Sequence, residues 1–131
     1  MSTAATTAIL RPVDQTYLDA HFNWDATVEA GMVCVRIEDY PLAAGLTPAA
    51  TALLVRLPPG FPDAGPDMFW FAEPVIRADG KAIPATEVIE GHLGRSWQRW
   101  SRHIGTRWRP GVDDLRSYLT FIAACTRGAA A

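Results

Sequence analysis

Hydrophobic residues recur along this chain with two periods, and the switches between them mark out its elements. Pro12-Val-Asp-Gln-Thr-Tyr-Leu-Asp-Ala-His-Phe22 places Val13, Tyr17 and Leu18 at helical spacing. Pro12 suits the first turn of a helix, and Asp14 complements its positively polarised N-terminal end. Alternation follows. Asn23–Glu29 reads as a first strand. In Met32-Val-Cys-Val-Arg-Ile37, Val33, Val35 and Ile37 fall on one side, and Met32, Cys34 and Arg36 on the other. Thr51–Leu57 repeats the pattern with Leu53, Val55 and Leu57 as its apolar row. Met68-Phe-Trp-Phe71 is a fourth strand, with Asp79-Gly80 as a turn signal beyond it.

The remaining stretches break or change the period. Pro58-Pro-Gly-Phe-Pro-Asp-Ala-Gly-Pro66 holds four prolines and two glycines, which forbids regular structure and predicts a rigid corner carrying Phe61 and Pro62. Residues 84–107 read as irregular or briefly helical, with Trp97, Trp100 and Ile104 at the spacing of a helical stripe. Gly111–Cys125 is the clearest helix. Val112, Leu115, Leu119 and Ile122 form its apolar face, Asp113 and Asp114 its first turn, and Arg127 and Gly128 its close. Residues 1–8 and 128–131 read as flexible ends around one domain at 9–127. Consecutive strands without intervening helices predict an α+β fold. Its expected layout is a four-stranded antiparallel meander with an N-terminal helix, a proline-rich corner, an irregular segment and a C-terminal helix.

Composition narrows the function more than the fold. A chain of 131 residues, 49% hydrophobic and 20% charged, is expected to be globular. Its net charge of −2 argues against general attraction to nucleic acid or membranes. No apolar run approaches a membrane span, and Met1–Ala8 lacks the basic and apolar regions of a secretion signal, so the cytoplasm is the expected compartment. Cys34 and Cys125 lie far apart with no CxxC pair, and no histidines and carboxylates show metal-ligand spacing. Neither a disulfide framework, a metal nor a cofactor is expected.

Candidate chemistry concentrates in His92-Leu-Gly-Arg-Ser-Trp-Gln-Arg-Trp-Ser101-Arg-His103, followed by Trp108-Arg-Pro110. Arg95, Arg99, Arg102, Arg107 and Arg109 crowd together there with Trp97, Trp100 and Trp108. Such a mixture of cations and indoles points to a partly apolar site with polar groups aimed at a ligand or partner.

The element order resembles the ubiquitin-conjugating enzyme fold, and particular residues carry the likeness over about 10–126. Leu57-Pro-Pro-Gly-Phe-Pro-Asp-Ala-Gly-Pro66 is similar to the family's aromatic-Pro corner, and Trp108-Arg-Pro110 looks like its Trp-x-Pro. In the family a histidine lies about ten residues before the catalytic cysteine, and the tryptophan about eight after it. Here His92 precedes Ser101 by nine and Trp108 follows it by seven, which places Ser101 in the nucleophile register. The Trp-Gln-Arg-Trp-Ser-Arg-His cluster looks most like a bacterial branch associated with ubiquitin-like proteins, an adenylating activating enzyme and a processing hydrolase. No cysteine stands between His92 and Trp108, and Gly94 occupies the position of the family's asparagine.

The resemblance therefore implies an acyltransferase of ubiquitin-conjugating type. It would accept the C-terminal acyl group of a ubiquitin-like protein as an oxyester on Ser101 and pass it to a protein target. A serine needs a base and oxyanion donors. His103 and His92 are the candidate bases, and Gln98, Arg102, Arg99 and Arg95 the candidate oxyanion or partner-binding groups. Trp97, Trp100, Trp108, Pro110, Phe61, Pro62 and Asp67 would shape the site, Asp67 either capping a turn or orienting a histidine. Two alternatives stay open. One is a non-catalytic adaptor that binds the ubiquitin-like protein or the activating enzyme through its Trp and Arg surface. The other, disfavoured by the acidic total charge, is single-stranded nucleic-acid binding by Arg–Trp stacking.

Overall fold

The structure, a computed structural model, describes residues 9–131; the flexible segment expected at 1–8 lies outside the described residues. The chain runs through helix α1 (Pro12–His21) and strands β1 (Asn23–Glu29), β2 (Met32–Pro41), β3 (Leu46–Thr47), β4 (Ala50–Leu57), β5 (Phe69–Phe71), β6 (Ile76–Arg77), β7 (Ile89–His92) and β8 (Arg95–Trp100). A 3-10 turn (Gly105–Arg107) and helix α2 (Leu115–Ala130) follow. The α+β layout with a helix at each end stands. The sheet, however, has six antiparallel strands in the order β1-β2-β4-β5-β8-β7 rather than four, and β3 pairs with β6 in a small second sheet.

The two extra strands occupy the stretch expected to be irregular. Leu93 and Gly94 both take positive φ, 55° and 74°, which is the primed turn whose twist suits a two-residue hairpin. Across it His92 faces Arg95 and Glu90 faces Trp97, while β8 also pairs with β5 through Phe69 and Trp100. A strand turns successive side chains to opposite faces. Trp97 and Trp100 therefore do not form a stripe: Trp100 enters the main core beneath the helices, and Trp97 joins a second cluster on the other face.

The main core gathers Val35, Ile37, Leu53, Val55 and Leu57 from the sheet, as the alternation predicts, with Leu18 from α1 and Leu115, Tyr118, Leu119 and Ile122 from α2. Val13 and Val112, expected on apolar helical faces, are instead exposed. In α1 the inward position belongs to Asp14, whose carboxylate accepts from Leu115 N–H at 3.0 Å and from Arg11 Nε at 2.9 Å. In α2 the start is later than expected because Asp114 is the N-cap, in a reciprocal capping box with Ser117, while Asp113 is drawn back onto Arg109. Helix α2 also runs on through Gly128 to Ala130, so the tail expected at 128–131 is largely helical. Arg77 ties down its end by donating to the carbonyls of Ala129 and Ala131.

The sheet face away from α1 and α2 buries Cys34, Leu54, Trp70 and Trp97, with no covering helix among the described residues. It does so by curling. β1 and β7 are opposite edges of the sheet, yet the Glu29 carboxylate at the end of β1 accepts from Leu93 N–H in the β7–β8 turn at 3.0 Å. The end of β1 and the β7–β8 turn thus meet over this face.

Candidate functional site

The proline-rich corner fixes one wall of the site. Phe61 packs against Trp108 with ring centroids 5.9 Å apart, and Trp108 Nε1 donates to the Pro62 carbonyl at 2.8 Å. Gly65 lies so close that an added Cβ would stand 2.6 Å from Trp108 Cγ, so glycine is required there by contact rather than by conformation. Trp108 itself is 6% exposed and pins this corner to the turn preceding α2; Pro110 follows it on the exposed surface.

Past the corner, Asp67 and Met68 lead into β5. Met68 takes φ 62°, a left-handed conformation unfavourable for a residue with a Cβ. It is held by hydrogen bonds at both ends, Met68 N–H to the Arg102 carbonyl at 3.1 Å and Tyr118 Oη–H to the Met68 carbonyl at 2.6 Å. Burial pushes the Tyr118 phenol far up, and the nearby Asp67 charge pushes it further, so it acts here as a proton donor to backbone. On the other flank, Ala85 also takes positive φ, 59°, and its carbonyl accepts from Ser101 N–H at 3.1 Å. Two strained residues therefore clamp the short segment 101–103 where β8 ends.

Within that segment the side chains divide into two arrangements. His103 Nδ1 lies 2.5 Å from Asp67 Oδ1, with both side chains about three-fifths exposed. Asp67 therefore contacts the imidazole through Nδ1 and leaves Nε2 free of that contact. Ser101 is half-buried, and its hydroxyl accepts from Arg99 Nε at 3.2 Å. No hydrogen bond joins Ser101 to His103.

The second arrangement extends from Ser101 across the curled face. Arg99 donates to Glu90 Oε2 at 2.8 Å, and Glu90 Oε1 accepts from Trp70 Nε1 at 2.9 Å and meets His92 Nε2 at 3.1 Å. His92 Nδ1 in turn faces Glu29 at 3.7 Å. Burial opposes the ionisation of Glu90, but bonds from His92, Trp70 and Arg99 outweigh it and hold the carboxyl below its usual range. His92 is thus linked to Ser101 through Glu90 and Arg99 rather than placed beside it as a base.

Other expected roles are corrected by burial. Gln98 is 5% exposed and both ends of its amide are engaged: Nε2 donates to the Val75 carbonyl, and Oε1 accepts from Val75 N–H and Trp100 Nε1. It pins a loop to the core and offers nothing to an oxyanion. Trp97 and Trp100 are fully buried, so they serve neither as partner anchors nor as base-stacking platforms. Of the arginines, Arg102 lies over Trp100 and donates to the carbonyls of Pro84 and Ser101, while Arg95 lies over Trp97 on the exposed surface. Cys34 is fully buried, and burial raises the Cys125 thiol despite the opposing charges of Arg102 and Arg107. Glu29 has no place in the sequence reading, and it reaches His92 from the end of β1. Once β7 is a strand, the shared face of Glu90 and His92 follows from alternation.

Among the described residues no group of three or more His, Cys, Asp or Glu side chains is placed to hold a metal ion, and no helix is long and apolar enough to cross a membrane. A helix, an antiparallel sheet, a proline-rich corner locked by Trp108 and a clamped polar segment before the last helix together define an E2-like protein. The chain belongs to prokaryotic E2 family E, which it matches over residues 10–127, and this makes it an E2-like protein of a conjugation pathway. No curated protein and no solved structure matches it.

Proposed function

We propose that the chain, built on a ubiquitin-conjugating fold, carries the C-terminal acyl group of a ubiquitin-like protein as an oxyester on Ser101 and transfers it to a protein target. The observation that supports this best is the Asp67–His103 pair, standing at the strained end of β8 two residues from the hydroxyl in nucleophile register. Strained backbone persists where surrounding structure over-determines it, and it concentrates at functional sites.

The chemistry follows from these groups. Ser101 Oγ attacks the acyl carbonyl carbon activated by an adenylating enzyme, and its proton passes to His103 Nε2. The carbonyl π pair moves onto oxygen and then returns to expel the activating group, leaving an ester. His103 releases that proton to the expelled group; in the second half a target amine attacks the ester and gives up a proton to His103 Nε2, which hands it to the departing Ser101 Oγ. Asp67 holds the imidazole through Nδ1, and the Arg99 guanidinium beside Ser101 stabilises negative charge as it develops on the serine oxygen. Productive transfer requires the half-exposed 101–103 segment to bring Ser101 and His103 into hydrogen-bond reach when the partner docks.

A second reading, a non-catalytic adaptor of the same fold, is favoured by one observation: the Ser101 hydroxyl is engaged by Arg99 and not by His103. Reconstitution with the activating enzyme and ubiquitin-like protein separates the two. Transfer predicts that Ser101→Ala abolishes conjugation while leaving complex formation intact. An adaptor predicts that Ser101→Ala is silent, and that result removes the catalytic reading.

A further inference from the structure

An open groove of about 470 Å³ runs between the 3-10 turn and one side of α2. Its lining combines the apolar Ile104, Phe121 and Ala124 with the guanidinium groups of Arg107, Arg109 and Arg116. Helical spacing gathers the α2 members, because residues 116, 117, 120, 121 and 124 return to one side of the helix every three or four positions. Phe121 is half-buried and stacked on Tyr118 with ring centroids 5.6 Å apart, so the apolar surface is held in place.

The charges in this groove do not balance. Asp113 is the one acidic residue of the lining, and it is buried and committed to the backbone N–H and guanidinium of Arg109. Arg107 donates to the carbonyls of His103 and Ile104 and lies 5.3 Å from the centre of the Phe121 ring, with no carboxylate partner among the described residues. Arg116 rests 5.8 Å from the centre of the Tyr17 ring, and its side chain makes no hydrogen bond or ion pair among the described residues. Two cations therefore line the groove uncompensated, in a chain whose total charge is −2. Each already lies over an aromatic ring, so pairing with an anion immobilises less side chain than it would at a free arginine.

The mixture selects the occupant. A nucleic-acid backbone is tracked by an extended basic stripe and makes no use of Ile104, Phe121 and Ala124. An acidic peptide with an apolar residue uses both halves of the lining, and arginine beside an aromatic ring is the usual anchor of a protein interface. From Arg116 to Ala124 the helix rises about 12 Å, room for about four extended residues. We propose that this groove docks a short acidic segment of a partner protein, with carboxylates on Arg107 and Arg116 and an aliphatic or aromatic side chain against Phe121 and Ala124. The Arg107–His103 bond places the groove beside residues 101–103, yet docking requires no chemistry at Ser101.

The probe is a fluorescein-labelled hexapeptide, four glutamates around a central leucine-phenylalanine pair, titrated into the full chain and followed by anisotropy. Arg116→Glu should weaken binding at least tenfold. Ala124→Glu, at an exposed helical position, sets a like charge in the groove without removing an arginine and should also weaken binding about tenfold. Lys81→Glu makes the same change in total charge as Arg116→Glu, outside the groove, and should bind as the parent does. Serine in place of the peptide's leucine and phenylalanine should cost about tenfold, which separates docking from general attraction. The proposal is overturned if the parent shows no saturable binding, if both groove variants bind as the parent does, or if Lys81→Glu weakens binding as much as Arg116→Glu. Equal binding of the serine peptide overturns it too, as does a twelve-nucleotide thymidine strand that binds more tightly than the peptide and is lost with Arg116→Glu. Ser101→Ala should bind the peptide unchanged, so failure of docking and failure of acyl transfer are read separately.

Discussion

Replacing Asp67 with asparagine tests the proposed base without disturbing the fold. The Asp67 and His103 side chains are 61% and 59% exposed, and ion pairs at that exposure contribute roughly 0–1 kcal/mol to stability. Tm should therefore stay within about 3 °C of the parent. Transfer should respond differently. A positioned general base accelerates by about 10²–10⁴, so His103→Ala should slow formation of the Ser101 ester by on the order of 10² or more. Asparagine still offers an oxygen to Nδ1–H, and water already competes at this exposure, so Asp67→Asn loses only the charge and part of the orientation. A fall of about tenfold, equivalent to about 1.4 kcal/mol of transition-state stabilisation, is expected. The assay is single-turnover ester formation with the activating enzyme and ubiquitin-like protein, followed by gel shift. Equal rates for the parent and both variants would refute a base at His103. A Tm drop of more than about 5 °C for Asp67→Asn would show the pair to be structural instead.

Three further outcomes follow from the packing and the charges. Asp14→Ala leaves the buried N–H of Leu115 without its acceptor and should cost about 2–3 kcal/mol in urea unfolding, whereas Asp14→Asn keeps an acceptor and should cost less than half as much. Gly65→Ala drives a methyl group into Trp108 and should destabilise by about 1–3 kcal/mol, a penalty that Trp108→Ala in the same chain should partly remove. Acid should destabilise the fold through carboxylates held low: Asp79, brought down to about 2 by bonds from Arg77 and Lys81, Asp113, held down by Arg109, and Glu90. The unfolded chain binds protons at these groups first, so their stabilisation is complete above the ordinary carboxylate range and is lost as pH falls through it. Thermal melts should be flat above about pH 5 and fall between about pH 4 and pH 2.

Much of this architecture is readable from residue pattern, and the failures have physical causes. Val33, Val35 and Ile37, and Leu53, Val55 and Leu57, point into the core because one face of each strand is apolar enough to fix register. The hairpin at β7–β8 escapes notice because its turn is Leu93-Gly94, not a familiar Asn-Gly pair. Its strands also place an arginine, a glutamine and a glutamate where apolar residues would signal alternation. Once that strand is missed, the shared face of Glu90, His92 and Trp97 is missed with it, and Gln98 looks available when it is buried. The start of α2 shifts because Asp113 and Asp114 are both good caps; only the three-dimensional position of Arg109 decides between them. The Asp67–His103 pair joins residues 36 apart in sequence, a distance at which no local pattern speaks.

The transfer reading depends on Ser101 becoming acylated, and intact-mass and peptide-mapping spectrometry of the reconstituted reaction examines that step most directly. The account predicts a single partner molecule esterified to Ser101, resistant to thiol reductants, released by hydroxylamine and absent from Ser101→Ala. A Ser101→Ala chain that conjugates targets at the parent rate, with no ester on the native protein, would contradict it.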